Sequence, residues 1–168
     1  MCSIWTSVGF LPPADALDGA RHRGPDGSGD ARLETPSGPL VMGHKRLSIY
    51  DLSDAGSQPM TSRDGRFTLV FNGAIYNFKA LREELESLGH GFATQTDTEV
   101  LLAAWAQWGK DALSRFNGMF AFAMFDASRQ SLTLARDRFG EKPLHVAAWQ
   151  VSGETHFACA SEIPQLLA

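Results

Sequence analysis

The chain opens Met1-Cys2-Ser3-Ile4-Trp5-Thr6-Ser7-Val8, and this stretch decides how the rest is read. Residues 2–8 predict a strand that holds the N-terminus inside a sheet. If Met1 is removed, Cys2 carries a thiol and a free α-amine on one residue. An amine of pKa about 7.7–8.0 can take the proton of a thiol near 8.5, which makes a nucleophile with its own base. Taken alone, a cysteine at position 2 reads more simply as a frayed terminus. The remainder of the chain reverses that reading.

Composition bounds what the chain can be. With 168 residues, 43% hydrophobic and 20% charged, it is expected to fold as one globular domain over residues 1–168. A net charge of −4 and a pI near 5.7 argue against non-specific binding to nucleic acid or to an anionic membrane. No apolar run approaches the ~20 residues of a membrane span. Ser7, Gly9, Pro12, Pro13 and Asp15 interrupt any signal-peptide core, so a cytoplasmic location is expected. In that compartment Cys2 and Cys159 are not expected to pair, and Cys159 reads as a small buried strand residue. The histidines at 22, 44, 90, 145 and 156 lack zinc-type spacing, and no metal is assigned.

Moving outward from the first strand, residues 14–20 suggest a short helix, and the turn formers of 21–30 suggest a loop able to act as a lid. Residues 39–43 and 45–50 are strand-like, and 51–61 read as a loop. The run 67–71 is a strand, followed by Asn72-Gly73, a strong signal for a tight hairpin turn. Asn77 is placed to cap a helix with Phe78, Leu81, Leu85 and Leu88 on one face, ending at Gly89. Residues 97–108 predict a second helix, with Asp97 or Thr98 near its start. The runs 119–126, 131–137, 144–151 and 154–160 then predict two antiparallel hairpins. Strands, two helices and more strands in that order indicate antiparallel sheets with helices packed on them.

Six segments stand out along the chain: Arg23-Gly24-Pro25-Asp26, Gly43-His44-Lys45-Arg46-Leu47-Ser48-Ile49, Gln58-Pro59-Met60, Phe71-Asn72-Gly73-Ala74-Ile75-Tyr76-Asn77, Thr96-Asp97-Thr98-Glu99 and residues 135–144. In these the chain resembles the class II glutamine amidotransferases, and among them the glutaminase domain of asparagine synthetases. The resemblance implies an α+β, four-layer αββα N-terminal-nucleophile hydrolase fold with two stacked antiparallel sheets. It also implies hydrolysis of L-glutamine to glutamate and ammonia through a thioester on Cys2. Asn72 and the Gly73 N–H would hold the oxyanion. Arg46 would take the substrate α-carboxylate and Asp97 its α-ammonium, with Leu47, Ser48, Ile49 and Tyr50 lining the pocket. Arg23 to Asp26 would belong to a mobile loop over bound glutamine. Residues 136–143 read as a structural network, and Phe120, Phe122 and Phe125 as core.

Two departures from the family pattern matter. Ala74 stands where glutamate is usual, which removes a charged partner of the substrate ammonium, and Ser3 replaces a glycine. The ATP-binding Ser-Gly-Gly-x-Asp-Ser loop of the synthetases does not occur in the sequence, so no cofactor is expected in this chain. ATP and Mg belong to a synthetase domain or subunit that would receive the ammonia. A homodimer is a further expected assembly. Alternatives left open are a degenerate regulatory or docking module, and a hydrolase for a different amide.

Overall fold

The computed structural model describes residues 1–13, 16, 18–49 and 51–167. Strand β1 (Ser3–Val8) lies at the centre of one sheet, between β3 (Gly38–Arg46) and β9 (Glu154–Ala160). Outside them run β2 (Gly27–Thr35) and β8 (His145–Val151). The second sheet runs β4 (Met60–Thr61), β5 (Phe67–Ile75), β6 (Gly118–Asp126) and β7 (Ser131–Arg136). All pairings between these strands are antiparallel, so the chain is α+β as expected.

Period-two alternation builds the layer between the sheets. Ile4, Leu40, Met42 and Cys159 from the first sheet meet Val70, Ala123 and Phe125 from the second. The other face of the second sheet carries Phe71, Ile75, Phe120 and Phe122. Phe78, Leu81 and Leu85 of helix α1 (Phe78–Ser87) and Val100, Leu101 and Trp105 of α2 (Asp97–Trp108) pack on it. Each such large apolar side chain contributes about 1.5–3 kcal/mol on burial. The outer face of the first sheet is covered more thinly. A 3₁₀ segment (Asp18–Arg23) and the short helix α3 (Pro164–Leu167) lie over Trp5, Val41, Ala158 and Ala160.

That thin cover anchors the N-terminus. Trp5 Nε1 donates to Gln165 O at 3.0 Å, Ser3 Oγ donates to Gln165 Oε1 at 3.0 Å, and Ile4 N donates to Ser161 Oγ at 2.9 Å. Ser3 is fully buried in this network, so the residue that replaces the family's glycine adds a tether and is accommodated.

Several local expectations give way to tertiary pairing. Asn72-Gly73 makes no turn, because β5 runs straight through it, with Asn72 opposite Ala121 and Gly73 opposite Phe120. A Cβ at Gly73 would run into Met119 O and Phe120 Cα, so glycine is required there by a close strand approach. Residues 27–30, expected in a loop, pair with β3 as the start of β2. Asn77 does not cap α1. It receives Asn117 N and donates to Arg115 O, while Leu88 lies past the helix end with its side chain half exposed. The helix expected over 14–20 lies partly outside the described residues, and the ordered helical turn begins at Asp18.

Candidate active site

The sequence-predicted residues converge at one end of the layer between the sheets. Cys2 precedes Ile4 by two, which directs it to the same face, and its Sγ sits against the backbone of Leu47. Leu47 N donates to Sγ at 3.3 Å, and the thiol reaches Leu47 O at 3.5 Å. Burial pushes the thiol above its ordinary pKa, opposed by the Leu47 contact, the N-terminal charge and Arg46, and reinforced by the negative charge of Asp97. Both groups assigned to the substrate termini therefore act on the sulfur.

A small cavity opens beside it, lined by Cys2, Arg46, Leu47, Ser48, Ile49, Gly73 and Asp97 among the expected residues. Asn72 and Ala74 are buried next to this end of β5 but do not line the cavity, and Tyr50 lies outside the described residues. Asn72 Nδ2 is buried without a hydrogen-bond partner among the described residues. Gln58, His44, Gly56, Asp51, Phe71, Thr96 and Thr98 complete the wall.

Arg46 ends β3. Its Nη1 donates to Ser53 O at 2.7 Å and its Nη2 to Asp51 O at 2.5 Å. A Cβ at Gly56 would strike this guanidinium, so the 51–61 loop folds closely around it. Among the described residues no carboxylate lies within ion-pair distance of Arg46. A buried cation held by neutral carbonyls is suited to an anionic guest.

The opposite wall comes from the edge of β5. Strand β4 pairs only with Thr68 and Leu69, so beyond them that edge of β5 has no strand beside it. Side chains replace the missing strand. Gln58 Oε1 accepts Phe71 N at 2.6 Å, and Asp97 Oδ2 accepts Ile75 N at 2.9 Å. Tyr76 N, one residue on, turns the other way to Asn117 O. By the same alternation the N–H of Gly73 points from this edge toward the cavity that Gly73 lines.

Asp97 is free to do this because Thr96, not Asp97, caps α2. Thr96 Oγ1 accepts Glu99 N, and the Glu99 carboxylate receives Ala93 N and Thr94 N. Burial raises the Asp97 carboxyl to about 6, against hydrogen bonds from Ile75, its own and the Thr98 backbone that favour the charged form.

The segment Arg23 to Asp26 is not an open lid. Asp26 N donates to Arg46 O at 3.0 Å, Asp26 Oδ2 accepts Ser48 N at 2.8 Å, and a Cβ at Gly24 would meet the Lys45 backbone. Arg23 is buried and paired with Glu162 at 3.1 Å. The segment clamps β3 and fixes Leu47 to Ile49 in the cavity wall. Asp137 gathers the N–H groups of Phe120, Phe139, Glu141 and Lys142 within 3.1 Å, which makes residues 136–143 the structural network expected of them. Gln58 was visible in the sequence only as part of a motif. Its task depends on where β4 stops, which no local pattern encodes.

The family model described as a glutamine amidotransferase domain matches residues 1–168. A putative glutamine-hydrolysing asparagine synthetase of Mycobacterium tuberculosis is 45% identical over 154 residues, covering 88% of this chain and 23% of that protein. Asparagine synthetase 3 of Bacillus subtilis is 40% identical over 131 residues, 77% of this chain and 20% of that protein. A Penicillium rubens protein called amidase chyE is 38% identical over 153 residues, 91% of this chain and 21% of that protein. The chain thus spans less than a quarter of the length of these relatives. Among solved structures, the glutamine phosphoribosylpyrophosphate amidotransferase of B. subtilis superposes with a TM-score of 0.75 at 21% identity, over 98% of this chain and 43% of that one, and it shares the fold. The match along the whole chain and the relatives agree: this chain belongs to the glutamine amidotransferase domain family and is an enzyme domain of amidohydrolase type.

Proposed function

We propose that the domain hydrolyses L-glutamine to glutamate and ammonia through a thioester on Cys2 once Met1 is removed. The observation that carries the reading is the convergence on one sulfur of an anchored, carboxylate-free Arg46, a buried Asp97 and an outward Gly73 N–H. Arg46 takes the α-carboxylate and Asp97 the α-ammonium, which sets the side-chain amide toward Sγ. The sulfur attacks the amide carbon while its proton passes to the Cys2 α-amine. The oxyanion is held by the Gly73 N–H and the unpartnered Asn72 amide. The amine then protonates the leaving nitrogen, the C–N bond breaks, and water hydrolyses the thioester.

Ammonia released here serves an acceptor on a synthetase domain or subunit that supplies ATP and Mg, with an asparagine-synthetase-like amidation as the class of reaction.

Ala74 leaves Asp97 as the carboxylate for the ammonium. Loss of one charged hydrogen bond weakens glutamine binding by about 1.5–3 kcal/mol. The test is glutamate and ammonia formation by protein whose intact mass shows loss of Met1, and its loss in Cys2→Ala. If the processed protein forms no glutamate, the catalytic reading is wrong. Tight calorimetric binding of glutamine would count against the docking-module alternative, for which the substitution at Ala74 is the motive.

A further inference from the structure

The cavity contains one side chain that neither the substrate contacts nor the oxyanion donors use. His44 stands opposite Ile4 in the β1–β3 register, which places its ring in the layer between the sheets, and it is only 1% exposed. It lines the cavity together with Cys2. One ring nitrogen bonds the backbone of Phe71, while Nε2 is buried with no partner among the described residues. A bond to the Phe71 carbonyl makes the bound nitrogen Nδ1 the donor and leaves Nε2 as a bare lone pair. Burial lowers the imidazole to about 4, so this lone pair stays available at any working pH.

Hydrolysis of an amide through a thioester needs an acceptor of this kind. Ammonia leaves one side of the carbonyl carbon, and the water that cleaves the C–S bond arrives from the same side. Both carry hydrogens that must be directed away from the carbon while their lone pair faces it. Arg46, Asn72 Nδ2 and the Gly73 N–H offer only donors. Gln58 Oε1 is committed to Phe71 N, and Asp97, whose Oδ2 accepts Ile75 N, is taken up by the substrate ammonium in the reading above. We propose that His44 Nε2 is the acceptor of a leaving-group and water subsite, holding the ammonia as it departs and then the water that replaces it. The water oxygen bonds to the thioester carbon, one water proton goes to the Cys2 α-amine and on to the sulfur as the C–S bond breaks, and the other rests on Nε2 as a hydrogen bond. This inference rests on the glutaminase reading.

Two conservative variants isolate the atom. His44→Asn keeps a donor where Nδ1 bonds Phe71 and removes Nε2, whereas His44→Gln restores a polar atom near the Nε2 position. The full chain, with Met1 removed, is given glutamine and hydroxylamine, and the ratio of glutamyl hydroxamate to glutamate is measured beside intact-mass detection of the thioester and a thermal melt. With water no longer held, His44→Asn is expected to accumulate thioester and to raise that ratio by on the order of tenfold or more, and His44→Gln to bring it back toward wild type. An unchanged ratio in His44→Asn, whatever happens to rate or melting temperature, overturns the subsite and leaves a structural histidine. Equal rises in both variants overturn the assignment to Nε2. A wild-type protein that forms neither thioester nor glutamate fails the glutaminase reading first, and that control separates the two claims.

Discussion

Strand β5 is two different structures in nine residues. At Thr68 and Leu69 it is paired on both sides, to β4 and β6, and behaves as ordinary core. From Phe71 to Ile75 it keeps β6 but loses its outer neighbour, and its N–H groups go to Gln58, to the cavity and to Asp97. Stability is built by completing a sheet, and this cavity wall is built by leaving one incomplete. A backbone donor that a strand would have satisfied is left facing the cavity.

The comparison is broken most forcefully at Gly73. Gly73→Ala is expected to lower glutamine turnover by 10²–10³-fold or more, since its Cβ displaces the Met119 and Phe120 backbone that aims the N–H. Leu69→Ala, two turns of the pleat away, is expected to cost about 2–5 kcal/mol in denaturant unfolding and to leave turnover per folded molecule nearly unchanged. Equal loss of turnover in both variants would erase the distinction between the halves.

Asp97 sharpens it. Its carboxyl is raised from an ordinary 3.8 to about 6, so the folded state holds the proton more tightly than the unfolded chain, and stability falls as pH rises between those values. Above pH 6 the full deficit of about 3 kcal/mol persists. Asp97→Asn keeps an oxygen for Ile75 N and removes the charge. It should be more stable than wild type at pH 7–8 by up to that amount, show no gain near pH 3.5, and lose glutamine binding. A variant that is destabilised at pH 8 would show that the charge is not the strained element.

Gln58→Leu leaves Phe71 N without a partner and is expected to cost about 1–3 kcal/mol, whereas Thr61→Val on the two-residue strand β4 should fall within about 0.5 kcal/mol. The smallest effect is a labelling contrast with no cost in stability. Cys159 is fully buried and its thiol is pushed up to about 12, while Cys2 is partly exposed, so iodoacetamide on the native protein should modify Cys2 alone.

Much of the architecture was legible because it is written in short periods. Phe120, Phe122, Leu132 and Leu134 alternate, and Phe78, Leu81, Leu85 and Val100, Leu101, Trp105 recur at helical spacing, so strands and helices fall where those patterns place them. The errors share a cause. Asn72-Gly73 and the glycines at 27 and 29 carry strong local turn signals, and each was overruled by a neighbouring strand that residue type alone does not reveal. The segment Arg23 to Asp26, expected as a mobile lid, is bonded against the cavity wall through contacts of the same long-range kind, since a bond from Ser48 to Asp26 joins residues 22 positions apart.

The order of residues by itself determined which chemical groups this protein owns: a thiol one residue from the start, an arginine, an aspartate and an Asn-Gly pair. Only the tertiary structure decided how they are paired. Whether the Gly73 N–H faces the cavity is set by where strand β4 ends, and the partners of Asp97 and His44 on β5 are brought to them by the packing of distant elements. Hydrogen-bond satisfaction depends on distant neighbours, and no window of sequence contains them.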